Sequence, residues 1–196
     1  MGSLIINTLK DIIIKKAFSK ELAKINKNFF NLKQELFIRN ALVVQYNSIC
    51  KKNERAVAEH PKYSYGAAVD LALLNNNKVQ NRIEFKYQYP RGLRCSEVHK
   101  ELLKDTNYPK STSSDYCTDF ILVIHERSEK INSFSDAGIS PIYINWNDKF
   151  TSDYNGLLEF EKKINREFIK ETISIKCKKP YKNTYHFIFY NFCKNA

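Results

Sequence analysis

Glycine and proline are scarce, with five of each in 196 residues, and neither occurs between Ser3 and His60. No G-x-S-x-G, Walker-type loop or G-x-G-x-x-G can be assembled from so few glycines. Serine hydrolases, nucleoside triphosphatases and dinucleotide-binding enzymes thereby lose their usual supports. The five cysteines (Cys50, Cys95, Cys117, Cys177, Cys193) are odd in number and widely spaced, without a C-x-x-C pair. That pattern argues against a disulfide framework and a zinc ribbon, and it makes a reducing cytoplasm the expected location. Cys95 and His99 form the closest Cys/His pair, short of the four ligands of structural zinc, and His60, His99, His125 and His186 read as ordinary surface or core histidines. No apolar run reaches the ~18 to 20 residues needed to cross a bilayer. The opening apolar stretch carries Lys10 and Asp11 and lacks a small-residue cleavage site, so it reads poorly as a secretory signal.

What is present is positive charge and aromatic bulk. Lys and Arg number 32 against 21 Asp and Glu, a net +11, while 43% of residues are hydrophobic and 13% aromatic. The composition is globular, and the length fits a single domain spanning 1–196. The basic balance attracts polyanions, with nucleic acid as the first partner and an anionic membrane surface as its competitor.

Along the chain, 1–28 reads as an N-terminal helical extension, about 29–150 as the core, and 151–196 as a C-terminal helix and strand pair. Residues 4 to about 57 read as helical, with one stripe at Leu4, Ile5, Leu9, Ile12 and Ile13 and another at Phe29, Leu32, Leu36, Val43 and Tyr46. Such a stretch should contain two helices, with a break between Ser19 and Asn28 and Ser19 as a cap. After Pro61, residues 67–74 and 82–89 read as strand, turn, strand around Asn75 to Lys78. A short helix over 96–105 and a turn-rich loop over 106–114 follow. The run Phe120 to Ile124 reads as a central strand covered on both faces. A strand at 142–146, a helix at 156–171 and strands at 173–178 and 185–192 complete an α/β fold, a mixed central sheet with flanking helices.

With the hairpin's turn centred between Asn77 and Lys78, opposed residues have numbers summing to about 155. Asp70 then faces the neighbourhood of Glu84 to Lys86. Residues directly opposite in an antiparallel pair are ~4.5 to 5.5 Å apart at Cα, and alternation puts Glu84, Lys86 and Gln88 on one exposed face. Two carboxylates so close repel unless a cation lies between them. Magnesium suits the position because it takes oxygen ligands and is often held by one or two carboxylates plus substrate phosphate. Asp70, Glu84 and the Phe85 carbonyl would be its ligands, and Lys86 would orient the attacking water and offset developing charge.

Asp70 followed by Glu84-Phe85-Lys86 resembles the motif of the PD-(D/E)XK, or restriction-endonuclease-like, nucleases, an acid ending one strand and Glu-x-Lys on the next. Val69 stands where the superfamily's name places proline, and Glu161-Lys162-Lys163 repeats the Glu-x-Lys pattern in a helical context. The order helix, hairpin, helix, strand over roughly 30 to 146 is also similar to that family's core, although the hairpin lacks the third strand of its meander. The resemblance implies a restriction-endonuclease-like core preceded by N-terminal helices, a magnesium cofactor, and a role for Glu35 as auxiliary ligand or base. Glu35 could instead pair with Arg39 at i,i+4. The family most like so small a free-standing chain is the type II restriction endonucleases, which implies a homodimer acting on double-stranded DNA.

Arg91, Arg94, Lys100 and Lys104 lie near the motif in sequence and could grip phosphates. Asp115 and Asp119 read as turn or capping groups rather than ligands. The basic and aromatic C-terminal segment from Lys178 reads as an edge hairpin with its aromatics in the core. Three other functions are compatible with the charge: a nuclease toxin or effector acting on tRNA or DNA, a non-catalytic basic nucleic-acid-binding protein, and a membrane-surface protein using its basic N-terminal helices.

Overall fold

A computed structural model describes residues 4–29, 33–61, 68–88, 102–103, 118–127, 155–178 and 182–192. Helices α1 (Leu4–Ile14), α2 (Lys16–Phe29) and α3 (Glu35–Ile49) lead into strands β1 (Glu54–Pro61), β2 (Ala68–Asn75), β3 (Lys78–Gln88) and β4 (Asp119–Arg127). Helix α4 (Asn155–Lys163) and strands β5 (Phe168–Cys177) and β6 (Asn183–Phe192) follow. The strands form one six-stranded mixed sheet in the order β1-β2-β3-β4-β6-β5. Only β3 and β4 run parallel, and every other neighbouring pair is antiparallel. The expected α/β class with flanking helices is what forms.

Alternation along β3 divides the core between the two faces of the sheet. Ile83, Phe85 and Tyr87 pack with Ile121 and Val123 of β4 against α1, α2 and α3. On the other face Phe120, Leu122 and Ile124 meet Leu102, Leu157 and Phe160. Phe120 to His125 is buried throughout, which makes β4 central, as its apolar run predicts. In β6, Tyr185, Phe187 and Phe189 face the helices while Ile188, Tyr190 and Phe192 face α4. The C-terminal aromatics are therefore core, and among the described strands β5 lies at one edge of the sheet and β1 at the other.

Several expectations need correction. The first helical break falls at Lys15, whose backbone bonds to Ile12 O, and Ser19 lies inside α2 rather than capping a helix. The buried stripe of α3 is Ile38, Leu42 and Tyr46, while Leu36 is 51% exposed. Residues 54–57 are strand, not helix; β1 supplies the third strand of the meander that the sequence did not reveal. Its only fully buried hydrophobic position is Ala56, so it carries almost no apolar signal. The helix expected over 156–171 ends at Lys163, and Phe168 already begins β5. Leu102 and Leu103 are helical with Leu102 buried, but the rest of 96–105, the loop at 106–114 and the strand expected at 142–146 lie outside the described residues.

The β2–β3 turn is formed by Asn76 and Asn77, whose φ values of 50° and 61° are left-handed, as a two-residue hairpin requires. Asparagine tolerates this region better than other side chains. Beside the turn, opposed residues are Asn75 and Lys78, but beyond a bulge at Leu73/Leu74 they are Leu73 and Asn81, then Leu71 and Ile83. Gln80 is thus the extra residue, and the actual register lies one residue short of the expected sum. Asn77→Val should lower stability by ~1 to 2 kcal/mol through the left-handed penalty, whereas Asn77→Gly should not; urea midpoints distinguish the two.

His186, on β6, bonds Ser174 Oγ through Nδ1 (2.9 Å) and Glu126 Oε2 through Nε2 (3.1 Å). Burial pushes its pKa below the ordinary value of 6.5, against the upward pull of Glu126. The unfolded chain then binds a proton more readily than the folded one, so the stability present above pH 6.5 declines as pH falls below it. Urea midpoints across pH 7 to 5 should fall more steeply for the wild type than for His186→Gln.

Candidate active site

The pairing of β2 with β3 ends at Leu71 and Ile83. Past that point the strands separate, and Asp70 and Glu84 are the next residues on each. Backbone groups of alternate residues on a strand project to the same side. Arg82 exchanges bonds with Thr118 on the β4 side, so Phe85 and Tyr87 project theirs toward the opening beside β2. Side-chain carboxylates fill the acceptor positions that β2 has vacated. Asp70 Oδ2 accepts the Phe85 N–H at 2.8 Å, and Glu35 Oε2 accepts the Tyr87 N–H at 2.8 Å.

These two bonds bring Asp70 and Glu35 onto the strand segment that carries Glu84 and Lys86. Glu35 arrives from the helix layer as the first residue of α3, where its negative charge suits the positive end of the helix dipole. The alternative i,i+4 pair with Arg39 does not form: Glu35 pairs with Lys33 (3.1 Å), and Arg39 turns to Asp70 and Glu59. Glu84 and Lys86 alternate with the core residues Phe85 and Tyr87 and therefore leave β3 on the face away from α3. Glu84 is only 6% exposed, a correction to the open face expected for it, while Lys86 is half-buried. Asp70 and Glu35 each keep 21% of their side-chain surface exposed.

Arg39 and Glu59 are site residues that sequence reasoning missed. The Arg39 side chain is 6% exposed, and its Nη1 donates to Asp70 Oδ1 at 3.2 Å and to Glu59 Oε1. Its Nε finds no partner among the described residues. Glu59 has φ 50°, an unusual left-handed conformation within a strand. It falls between the β1–β2 pairs Ala58↔Leu71 and His60↔Val69, at the level of Asp70. The only sequence signal for Arg39 is its position one turn after Glu35, and nothing in the local sequence announces the conformation of Glu59.

A buried network fixes the start of α3 against the sheet. Tyr87 Oη and His125 Nδ1 share a hydrogen bond, and the His125 ring stacks on Tyr185 at 4.1 Å. Tyr185 Oη donates to Gln34 Oε1 (2.7 Å), and Gln34 immediately precedes Glu35. The residue that receives Glu35 at its backbone thus also anchors, through its phenol, the helix from which Glu35 projects.

Asp119 is placed apart from this arrangement. It is 2% exposed and accepts bonds from Asn81 Nδ2, Thr118 Oγ1 and Asn191 Nδ2, each at 2.7 Å. Those bonds tie β3, β4 and β6 together through side chains, a bracing role in place of the turn or capping role expected of Asp119. Asp115, Arg91, Arg94, Lys100 and Lys104 lie outside the described residues.

Among the described residues, no group of three or more His, Cys, Asp and Glu gathers closely enough to hold a metal by itself. The ligands expected from the sequence are hard oxygens: Asp70, Glu84 and the Phe85 carbonyl, which projects to the same strand side as the N–H that Asp70 accepts. Such a set fits magnesium, which leaves several positions to water and substrate phosphate. The chain matches no protein-family model, no curated protein and no solved structure.

Replacing Arg39 by Leu would leave Asp70 and Glu59 without their shared cation. The stability loss should lie between the ~1 kcal/mol of an exposed pair and the ~3 to 5 kcal/mol of a fully buried one, because Arg39 is enclosed while Glu59 is 60% exposed. Chemical denaturation of wild type, Arg39→Leu and Arg39→Lys would measure it, with the lysine variant recovering part of the loss.

Proposed function

We propose that this chain is a magnesium-dependent endonuclease of the PD-(D/E)XK type, hydrolysing phosphodiester bonds in double-stranded DNA and most like a type II restriction endonuclease. The observation that carries this reading is the bond from Phe85 N–H to Asp70 Oδ2. It sets the aspartate against the middle residue of Glu84-Phe85-Lys86, at the point where β2 and β3 part. The order α3, the antiparallel meander β1-β2-β3, then β4 supports the reading, which implies helix, meander, helix, strand; between β3 and β4 only the helical Leu102 and Leu103 are described.

Asp70 and Glu84 would hold magnesium with the Phe85 carbonyl. When bound, such an ion would supply positive charge at the phosphate and make water more acidic. Lys86 orients the nucleophilic water and offsets charge on the phosphate as it grows, and Glu35 acts as auxiliary ligand or base from the opposite side of β3. Arg39 holds Asp70 in its orientation through Oδ1. The net charge of +11 favours encounter with a polyanion. A homodimer, with one centre per strand, and a cytoplasmic location belong to the same reading. No helix among the described residues is long and apolar enough to cross a membrane.

Plasmid DNA incubated with magnesium should be cut by the wild type and spared in EDTA. Lys86→Ala should reduce the rate by ~10²-fold or more, as expected for loss of a charge-stabilising group. Asp70→Asn, which retains an oxygen acceptor for the Phe85 N–H, should lose cleavage without comparable loss of stability. Discrete fragments support restriction; a smear favours a toxin or effector nuclease. Binding without cleavage would reduce the chain to a non-catalytic nucleic-acid-binding protein, and undiminished cutting by Lys86→Ala would remove it from the catalytic assignment.

A further inference from the structure

Helix α2 carries Lys16, Lys20, Lys24 and Lys27, and all are exposed. Their spacings of four, four and three residues keep them on one side of the helix. Phe18, Leu22 and Ile25 lie on the opposite side and are buried in the core. At ~1.5 Å per residue the row extends about 16 Å along the axis. Glu21 is the only acidic residue of α2, and it pairs with Lys24 at 3.1 Å, an exposed contact that competes weakly with a phosphate.

The ends of α2 are fixed at different parts of the molecule. Near its start, Phe18 meets Phe187 edge-on at 5.8 Å, and Ser19 O accepts from Cys177 Sγ, at the β5 side of the sheet. At its finish, Phe29 stacks on Phe37 at 3.8 Å, and Phe29 O accepts from Gln34 Nε2 at 3.2 Å, beside Glu35. The lysine row therefore leads from the β5 side of the sheet to the start of α3, where Glu35 approaches β3 from the helix layer. Lys33, 57% exposed, continues positive charge to that point.

We propose that Lys16, Lys20, Lys24 and Lys27 form a phosphate-contact surface that holds double-stranded DNA beside the candidate site without reading its sequence. The identity of the polyanion rests on the nuclease reading. Lysine presents a flexible point charge rather than a planar fork, which suits positioning along a backbone more than base recognition. A membrane fits less well. Helices that bind bilayers insert an apolar face, and the apolar face of α2 is already enclosed by the protein's own core.

The test uses the full chain, a fluorescent random-sequence DNA duplex, and EDTA to prevent turnover. Binding is measured by anisotropy over a salt series for the wild type, for a variant with all four lysines changed to Gln, and for one with all four changed to Arg. Removing four phosphate contacts should make the slope of log affinity against log salt shallower by about 3 to 4, and the Arg variant should keep the wild-type slope. An unchanged slope in the Gln variant overturns the proposal, as does an equal loss in the Arg variant. Phosphatidylserine vesicles provide the competing surface: loss of vesicle binding with intact duplex binding would assign the row to membranes instead. Because binding is read without metal, a row-dependent slope in a chain that never cuts DNA would uphold the contact surface while defeating the nuclease reading.

Discussion

The separation of β2 from β3 beyond Leu71 and Ile83 is the feature on which the candidate site depends. A strand leaving its neighbour abandons backbone donors that are costly to bury unpaired. Phe85 and Tyr87 lie in the core, so their N–H groups cannot simply turn to water. The chain satisfies them with Asp70 and Glu35, which draws two carboxylates to one short piece of β3. The same bonds pair the donors that β2 leaves open and fix Asp70 and Glu35 beside β3.

Pairing on both sides keeps the two strands apart. On one side of β3 the parallel pairing with β4 runs without interruption from Ile83 to Gln88, so the strand cannot follow β2 away. On the other side β1 remains paired with β2 as far as Pro61↔Ala68 and carries it past the divergence. Helix α3 spans the gap, with Arg39 bonded to the β1–β2 side through Glu59 and Asp70 and Glu35 bonded to β3. One turn of helix therefore cross-links the two strands that have parted.

Much of this could be read from residue order because the relevant signals are local. The apolar run Phe120 to Ile124 announces a covered strand, and the alternation from Ile83 to Tyr87 assigns faces that the structure keeps. Asp70 and Glu84 fall on neighbouring strands even though the expected register was off by one, since the bulge at Leu73/Leu74 compensates part of the misplaced turn. Strand β1 was illegible because its pairing is decided by β2 and its one buried hydrophobic side chain is alanine. Leu36 was misleading for the converse reason: its place in an apolar periodicity does not bury it, and the contacts that orient α3 are made by Ile38, Leu42 and Tyr46. Arg39 pairs across 31 positions with Asp70, a choice that helical spacing cannot anticipate.

Capping a backbone donor and binding a cation are compatible tasks for the same carboxylate. An ionised carboxylate offers ~4 lone-pair directions over its two oxygens. Asp70 uses Oδ2 for Phe85 N–H and Oδ1 for Arg39, which leaves acceptor capacity on both atoms. The two bonds also remove the rotational freedom that a free aspartate would lose on binding an ion, so the ordering cost falls on folding rather than on ligation. Arg39 would oppose a cation at Asp70 by its charge and favour one by fixing the carboxylate's orientation. Its enclosure, with the side chain 6% exposed, holds that orientation in place.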